Sequence, residues 1–174
     1  MSIGTEFEYN KIISEEKYII NYCNEIFEKL NYKKNIFYKG MPEKMAFETE
    51  IWIVGESIRQ GIINEKKNKT NNYLKIIDDI IEIINTCKFK SGRESFVMLL
   101  SFYKNNEIVN ETLVKLLNEN ELYGFAIKEL DKIKEYGYIN EIVEIYNNEK
   151  KGWIKQIAKK YIEKQLQTKN KEIK

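Results

Sequence analysis

Carboxylates and aromatic rings are the side chains that could carry chemistry in this chain, because histidine is absent from all 174 residues. The commonest general base, the commonest metal ligand and the Ser/His and Cys/His nucleophile pairs are therefore missing. Cys23 and Cys87 lie far apart and neither belongs to a Cys-x-x-Cys motif, which leaves zinc and thioredoxin-type redox sites without support. Both stand among apolar residues at helical spacing and are expected to be packed, reduced thiols. We expect no catalytic residue, no metal site and no cofactor.

A second group of polar residues surrounds Trp52. Glu48, Glu50, Glu56 and Arg59 interrupt a very apolar run there. Glu56 and Arg59 are three residues apart, which places them on one face of a helix. A buried ion pair between these two is the expected arrangement, and a ligand pocket is the alternative.

The charge of the chain is balanced overall and polarised locally. There are 29 basic and 27 acidic residues, a formal charge of +2, so no global field points toward nucleic acid or a membrane. Residues 105–149 hold ten acidic residues and four lysines, a local charge of −6, whereas residues 150–174 hold nine lysines and two glutamates, a local charge of +7. No N-terminal segment combines a basic start with an apolar run, and no stretch approaches the roughly 20 apolar residues of a membrane span. We expect a soluble, cytoplasmic protein with no membrane partner.

Helices must position these residues, because apolar residues recur at intervals of three and four along almost the whole chain, with only one proline and eight glycines. The pattern predicts an all-α fold of about eight helices, in a single domain over residues 1–168 with a charged tail at 169–174. The predicted helices cover residues 5–30, 42–63, 73–87, 92–103, 107–118, 121–135, 138–147 and 153–167.

Several local features accompany this prediction. Thr5 is expected to cap the first helix, and Pro42 to stand in the first turn of the second, where its missing N–H costs nothing. Residues 31–41 read as a connector and residues 65–72 as a solvated loop. The third helix is expected to bury one stripe, formed by Leu74, Ile77, Ile80, Ile81 and Ile84.

A helical unit recurs in the C-terminal half. Its two clear copies are Leu122-x-x-Phe125-Ala126-x-x-x-Leu130 and Ile154-x-x-Ile157-Ala158-x-x-x-Ile162. An imperfect third copy has Ser95 at the place of Ala126 and Ala158, so that the small residues stand 31 and 32 positions apart. A small side chain there lets one helix approach its neighbour closely.

This pattern resembles a HEAT-type repeat over residues 92–167. It departs from that family in lacking the usual loop proline and the basic residue before the small position. The resemblance implies an α-α superhelix of antiparallel helix hairpins, in which residues 1–86 are degenerate or irregular and residues 92–167 carry the clearer repeats. It also implies a concave face that binds proteins or, in some cases, nucleic acid. An irregular helical bundle is the alternative architecture.

In a HEAT-like stack, the second helix of each hairpin lines the inner face. Here those helices are acidic, with Lys115 alone opposing Glu107, Glu111, Glu141 and Glu144. An acidic face repels phosphate and favours a basic partner. The alternative is that Glu107 and Glu141 only complement helix dipoles in first turns.

Tyrosines cluster around the predicted hairpin ends. Tyr103, Tyr123 and Tyr146 offer rigid, amphipathic contact area of the kind that suits a protein interface. Packing at the edge of the core is the alternative. With the four glutamates, these three tyrosines complete the candidate protein-binding residues.

The predicted last helix has a basic side, formed by Lys155, Lys159, Lys160 and Lys164. Because terminal repeats need a polar outer face, we expect this helix to cap the stack. A contact with a membrane surface or nucleic acid is the alternative.

The leading functional hypothesis is a non-enzymatic protein-binding module, such as an inhibitor or immunity protein that neutralises a basic toxin or nuclease. One alternative is a DNA-acting enzyme, since bacterial alkyl-base DNA glycosylases are also similar to HEAT-like solenoids and need no histidine. They require a cationic groove, an aromatic wall and a carboxylate. The residues available for such a site are Trp52, Trp153, Asp78, Asp79 and Asp131. Because the predicted inner face is negatively charged and such a groove must be positive, nucleic acid is not the expected partner.

A scaffold or self-associating adaptor is a third hypothesis. The oligomeric state is left open by the sequence.

Overall fold

The structure is a computed structural model that describes residues 9–35 and 44–172. Its contacts divide the chain into two compact units, Met1–Leu99 and Leu100–Lys174, hereafter the first and second units. The all-α fold class is confirmed, because helices and short turns make up the described residues apart from one pair of two-residue strands. The HEAT-like superhelix and the single domain stay predictions, and both Thr5 and Pro42 lie outside the described residues.

Over residues 9–35 and 44–99, the first unit contains five α-helices, two 3₁₀ helices and the strand pair. The α-helices are α1 Tyr9–Ser14, α2 Tyr18–Leu30, α3 Ala46–Lys67, α4 Ile77–Asn85 and α5 Glu94–Val97. The 3₁₀ helices are Asn72–Ile76 and Cys87–Arg93. Strand β1 (Lys34–Asn35) pairs antiparallel with β2 (Lys44–Met45).

Helix α3 forms the centre of the first unit and packs against α2, α5 and the Cys87–Arg93 turn. The fully buried residues at intervals of three and four along it are Ile51, Val54, Ile58 and Ile62. A Cβ at Gly55 would lie 2.1 Å from the Ser95 Oγ. The small residue that the repeat pattern singled out at position 95 therefore sits where α5 and α3 approach most closely.

Several predicted helix boundaries in the first unit are wrong. Of the helix predicted over residues 92–103, only Glu94–Val97 is α-helical, and of the one predicted over residues 73–87, only Ile77–Asn85 is. The continuous helix over residues 5–30 is interrupted, because Lys17 adopts a left-handed conformation with φ of 57° between α1 and α2. The helix predicted to end at residue 63 extends to Lys67, since the Glu65 carboxylate is buried and accepts hydrogen bonds from the Tyr9 hydroxyl (3.0 Å) and the Tyr73 N–H (3.1 Å).

The buried stripe predicted for residues 73–87 is confirmed except at its start. Leu74 is exposed because residues 72–76 form a 3₁₀ helix, whose tighter period turns that side chain outward. Cys23 is buried as expected, and burial raises the pKa of its thiol. The burial predicted for Cys87 is wrong: it lies in the turn after α4, with its thiol exposed.

The ion pair predicted between Glu56 and Arg59 is present, with 2.8 Å between the closest N and O atoms. It is not fully buried, because 21 % and 34 % of the two side chains remain accessible. Trp52 beside it is half-buried. The pair therefore belongs to the surface of α3.

The second unit begins with a 3₁₀ helix, Leu100–Tyr103, and continues with four α-helices. These are α6 Glu107–Leu116, α7 Tyr123–Ile133, α8 Ile139–Asn148 and α9 Gly152–Glu172. Helix α7 packs against both α6 and α9, and α8 packs against α9. Ala126 and Ala158, the small residues of the two clear repeats, are both fully buried.

Helix α9 is longer than predicted, since it continues to Glu172 where the sequence indicated a tail. Polar contacts fix it to the end of α7 and the segment that follows. The Tyr161 hydroxyl donates to the Glu135 carbonyl (2.6 Å), and the Lys164 ammonium donates to the Asp131 carboxylate (2.6 Å). One lysine of the predicted basic side is therefore neutralised by an internal carboxylate.

Candidate functional site

An open groove of about 570 Å³ lies at one end of the second unit. Its walls come from the residues that follow α6, the first turn of α7, the last two turns of α8 and the turn before α9. The lining residues are Leu117, Asn118, Asn120, Tyr123, Glu141, Glu144, Ile145, Asn148, Glu149, Lys150 and Lys151. Short connections between the helices place all four of these segments at the same end of the unit.

Helix α8 supplies the acidic wall. Glu141, Glu144, Ile145 and Asn148 follow the i, i+3, i+4, i+7 spacing that aligns side chains on one helical face. Helix α8 is anchored in the unit by Ile142, which is fully buried on the face next to that of the glutamates. This anchor turns the two glutamates toward the groove, where both are exposed.

Glu141 and Glu144 make no ion pair or hydrogen bond with the other residues that the structure describes. Their Cβ atoms, three positions apart on a helix, stand about 5–6 Å from each other. Two like charges so close repel each other, and a cation between them would relieve that repulsion. This wall can therefore bind an ammonium or guanidinium group.

Glu149 forms the opposite wall through internal hydrogen bonds. Its carboxylate accepts the Tyr123 hydroxyl and the backbone N–H groups of Lys150 (2.7 Å) and Lys151 (2.6 Å). A carboxylate just before the first turn of α9 is also stabilised by the helix dipole. These contacts join the start of α7 to the start of α9 and fix the shape of the groove.

The groove is less acidic than the sequence suggested. Three glutamates and two lysines line it, a formal charge of −1, and Glu149 already has three donors. The local charge of −6 is spread over other places. Glu129, for example, is fully buried with its carboxylate 2.5 Å from the Lys132 ammonium, and burial raises the pKa of that carboxyl.

Three of the seven candidate binding residues line the groove, namely Tyr123, Glu141 and Glu144. Glu107 and Glu111 are exposed on α6 but do not line it. Glu107 opens that helix while the groove lies beyond its last residue, Leu116, about 14 Å further along the axis.

The other two candidate tyrosines are engaged within the second unit. Tyr103 is 4 % exposed and belongs to the core, so it offers no contact area to a partner. The ring of Tyr146 is half-buried and covered by the Lys155 ammonium, 5.2 Å from its centroid. Packing at the core edge, the alternative interpretation, therefore describes both residues.

The sequence analysis missed the asparagines at three helix ends and the Glu149 wall. Asn118 follows α6, Asn120 precedes α7, and Asn148 ends α8. The position of Glu149 just before a predicted helix start could have indicated its structural role, because acidic residues favour that position. The asparagines gave none, since asparagine also stands in several other connections of this chain, such as Asn31, Asn68 and Asn105.

The carboxylates named for a glycosylase-like site stand in different surroundings. Asp131 is held by Lys164 and by the Tyr136 hydroxyl (3.2 Å), so its charge is already compensated. Asp78 and Asp79 lie in the first turn of α4, in the first unit. Burial, and to a smaller extent the negative charge of Glu82, raises the pKa of Asp79. Within residues 9–35 and 44–172, no three His, Cys, Asp or Glu side chains are grouped to hold a metal ion.

No family model, no curated protein and no solved structure matches this chain. Among the described helices, none has an apolar stretch long enough to cross a bilayer.

Proposed function

We propose that this protein is a non-enzymatic binding module and that the groove of the second unit holds a basic segment of a partner protein. The observation that carries the proposal is the pair of exposed carboxylates, Glu141 and Glu144, which form no ion pair with another described residue. Partner residues that bring lysine or arginine to this wall gain charge pairing on arrival. Complementary charge of this kind raises the rate of encounter and excludes acidic partners.

The walls of the groove suit a peptide segment as well as a charge. Asn118, Asn120 and Asn148 each carry an amide that can donate to a peptide carbonyl and accept from a peptide N–H. Ile145 and Leu117 provide apolar surface between them. An extended stretch of partner chain can therefore satisfy its backbone while its cationic side chains meet α8.

The HEAT-like architecture is part of this proposal. The packing of α7 on α9, with α6 beside α7 and α8 beside α9, supports it, because stacked hairpins make these contacts. A small binding module without histidine suits the role of an inhibitor or immunity protein that covers a basic toxin or nuclease. The charge of the groove and the size of the chain are the support for that role.

The proposal is tested by capturing the partner with matched charge variants. The tagged protein, the double variant Glu141→Gln/Glu144→Gln and the double variant Glu107→Gln/Glu111→Gln are used as baits in extract from cells that produce the protein. Both doubles remove two charges, but only the first changes the groove. We expect a basic partner whose affinity falls about tenfold for the groove variant and stays unchanged for the control, since two screened ion pairs together contribute about 1.4 kcal/mol. Equal recovery by the two variants, or recovery of acidic proteins alone, would contradict the proposal.

A further inference from the structure

Trp153 is an exposed aromatic side chain held in a fixed position. It is the second residue of α9, and 45 % of its surface is accessible. Its ring packs on the Phe125 ring, with 5.4 Å between centroids, and lies so close to Gly124 that a Cβ there would come within 2.6 Å of it. One side of the indole is therefore fixed by α7 while the rest faces solvent.

This platform, Trp153 with Phe125, lies beside the groove without belonging to its lining. Gly124, under the indole, directly follows Tyr123, and Trp153 stands two residues after Lys151; Tyr123 and Lys151 both line the groove. A segment that leaves the groove past the turn before α9 can therefore reach the platform.

The chemistry of the platform differs from that of the acidic wall. Lys150 and Lys151 precede Trp153 by three and two residues, so a second cation of the partner is repelled there. An apolar side chain has no such penalty and removes indole surface from water. Rigid tryptophans that need little ordering on binding are typical centres of binding energy.

Building on the proposed function, we propose that the partner segment carries an apolar side chain beside its lysine or arginine and that this side chain docks on Trp153. The acidic wall selects the charge of the partner, and Trp153 selects among basic segments. Affinity then depends on two contacts, at Glu141 and Glu144 on one side and at Trp153 on the other.

The test uses two synthetic peptides, Leu-Ser-Arg-Arg-Ser-Leu and Ser-Ser-Arg-Arg-Ser-Ser, both capped at their ends. Dissociation constants are measured by calorimetry against the full chain. We expect the leucine peptide to bind roughly tenfold more tightly, which corresponds to about 1.4 kcal/mol and to the partial burial of one leucine side chain. Trp153→Ala should abolish this preference, and Trp153→Phe should keep part of it, which guards against simple misfolding.

Leu166→Ala provides the matched control. Leu166 is 52 % exposed on the same helix, thirteen residues and about 20 Å beyond Trp153, so its loss should leave the preference intact. Equal affinity of the two peptides, or equal loss of preference in both alanine variants, would overturn the role of Trp153. If both peptides nevertheless lose affinity in Glu141→Gln/Glu144→Gln, the proposed function stands without it. Failure of both peptides to bind would overturn the two proposals together.

Discussion

Replacing Tyr123 by phenylalanine removes one hydrogen bond and leaves the ring, which makes it a direct test of the wall formed by Glu149. Hydrogen bonds to a charged group contribute about 1.5–3 kcal/mol, and partial exposure to solvent weakens this one to about 1–1.5 kcal/mol. Glu149 keeps its two backbone donors and is not left unpaired. We expect Tyr123→Phe to destabilise the second unit by about 1–1.5 kcal/mol. Glu149→Gln should cost a similar amount, and the double variant only slightly more, which gives a coupling energy of about 1 kcal/mol.

The chain offers a clean readout for this measurement, because it has one tryptophan in each unit. In a Trp52→Phe background, urea unfolding followed by Trp153 fluorescence reports on the second unit alone. A loss of about 1.2 kcal/mol lowers the midpoint by about 0.6 M urea for a slope near 2 kcal/mol/M. Tyr146→Phe is the matched control, since its hydroxyl has no hydrogen bond among the described residues and its loss should stay within about 0.5 kcal/mol. If Tyr123→Phe destabilises no more than Tyr146→Phe, or if the coupling energy is near zero, the wall is not held as described.

Three further predictions concern stability. Lys90 has φ of 47° and ψ of −132°, a strained conformation for a residue other than glycine. Lys90→Gly should relieve about 1–3 kcal/mol of this strain and stabilise the first unit by about 1 kcal/mol net in a urea-unfolding assay. The control Lys75→Gly, in a 3₁₀ helix with negative φ, should destabilise the unit by about 0.5–1 kcal/mol. Burial raises the pKa of Glu129 above its value in the unfolded chain, so the native state binds more protons than the unfolded state. The free energy of unfolding should therefore fall as the pH rises from the unfolded pKa through the raised native pKa. Glu129→Gln should remove this pH dependence in thermal melts from about pH 4 to 8. Gly55→Ala should cost about 1–3 kcal/mol because its Cβ meets the Ser95 Oγ, and Ser95→Gly should recover part of that loss in the double variant, whereas an additive result would show that the two do not meet.

The spacing of apolar residues was enough to predict the all-α fold class, because the 3.6-residue period of a helix is visible within the sequence of each segment. Ala126 and Ala158 are buried where the repeat put them, and Glu56 pairs with Arg59 as their spacing predicted. The interruption at Lys17 could not be predicted in this way, since a lysine in the left-handed region carries no composition signal and is imposed by packing around it. Cys87 had the same apolar neighbours as a core residue and became exposed because α4 ends before it.

The groove was only partly predictable for a related reason. Glu141 and Glu144 lie on one helix, so their spacing sufficed to place them together. The Glu149 wall depends on how the start of α7 meets the start of α9, and the distance between two loops is a tertiary property. Tyr103 was predicted to be an interface residue but is buried in the core. Amphipathic tyrosines occur in both cores and interfaces, so its sequence context could not distinguish the two locations.

If a cationic segment binds between Glu141 and the start of α9, titration of the ¹⁵N-labelled chain with the two-arginine peptides should shift the backbone amides of the groove. We expect saturable changes confined to residues 117–123 and 141–153, which weaken as salt is added. Changes centred on Glu107 and Glu111, or no saturable change at low salt, would contradict binding in the groove.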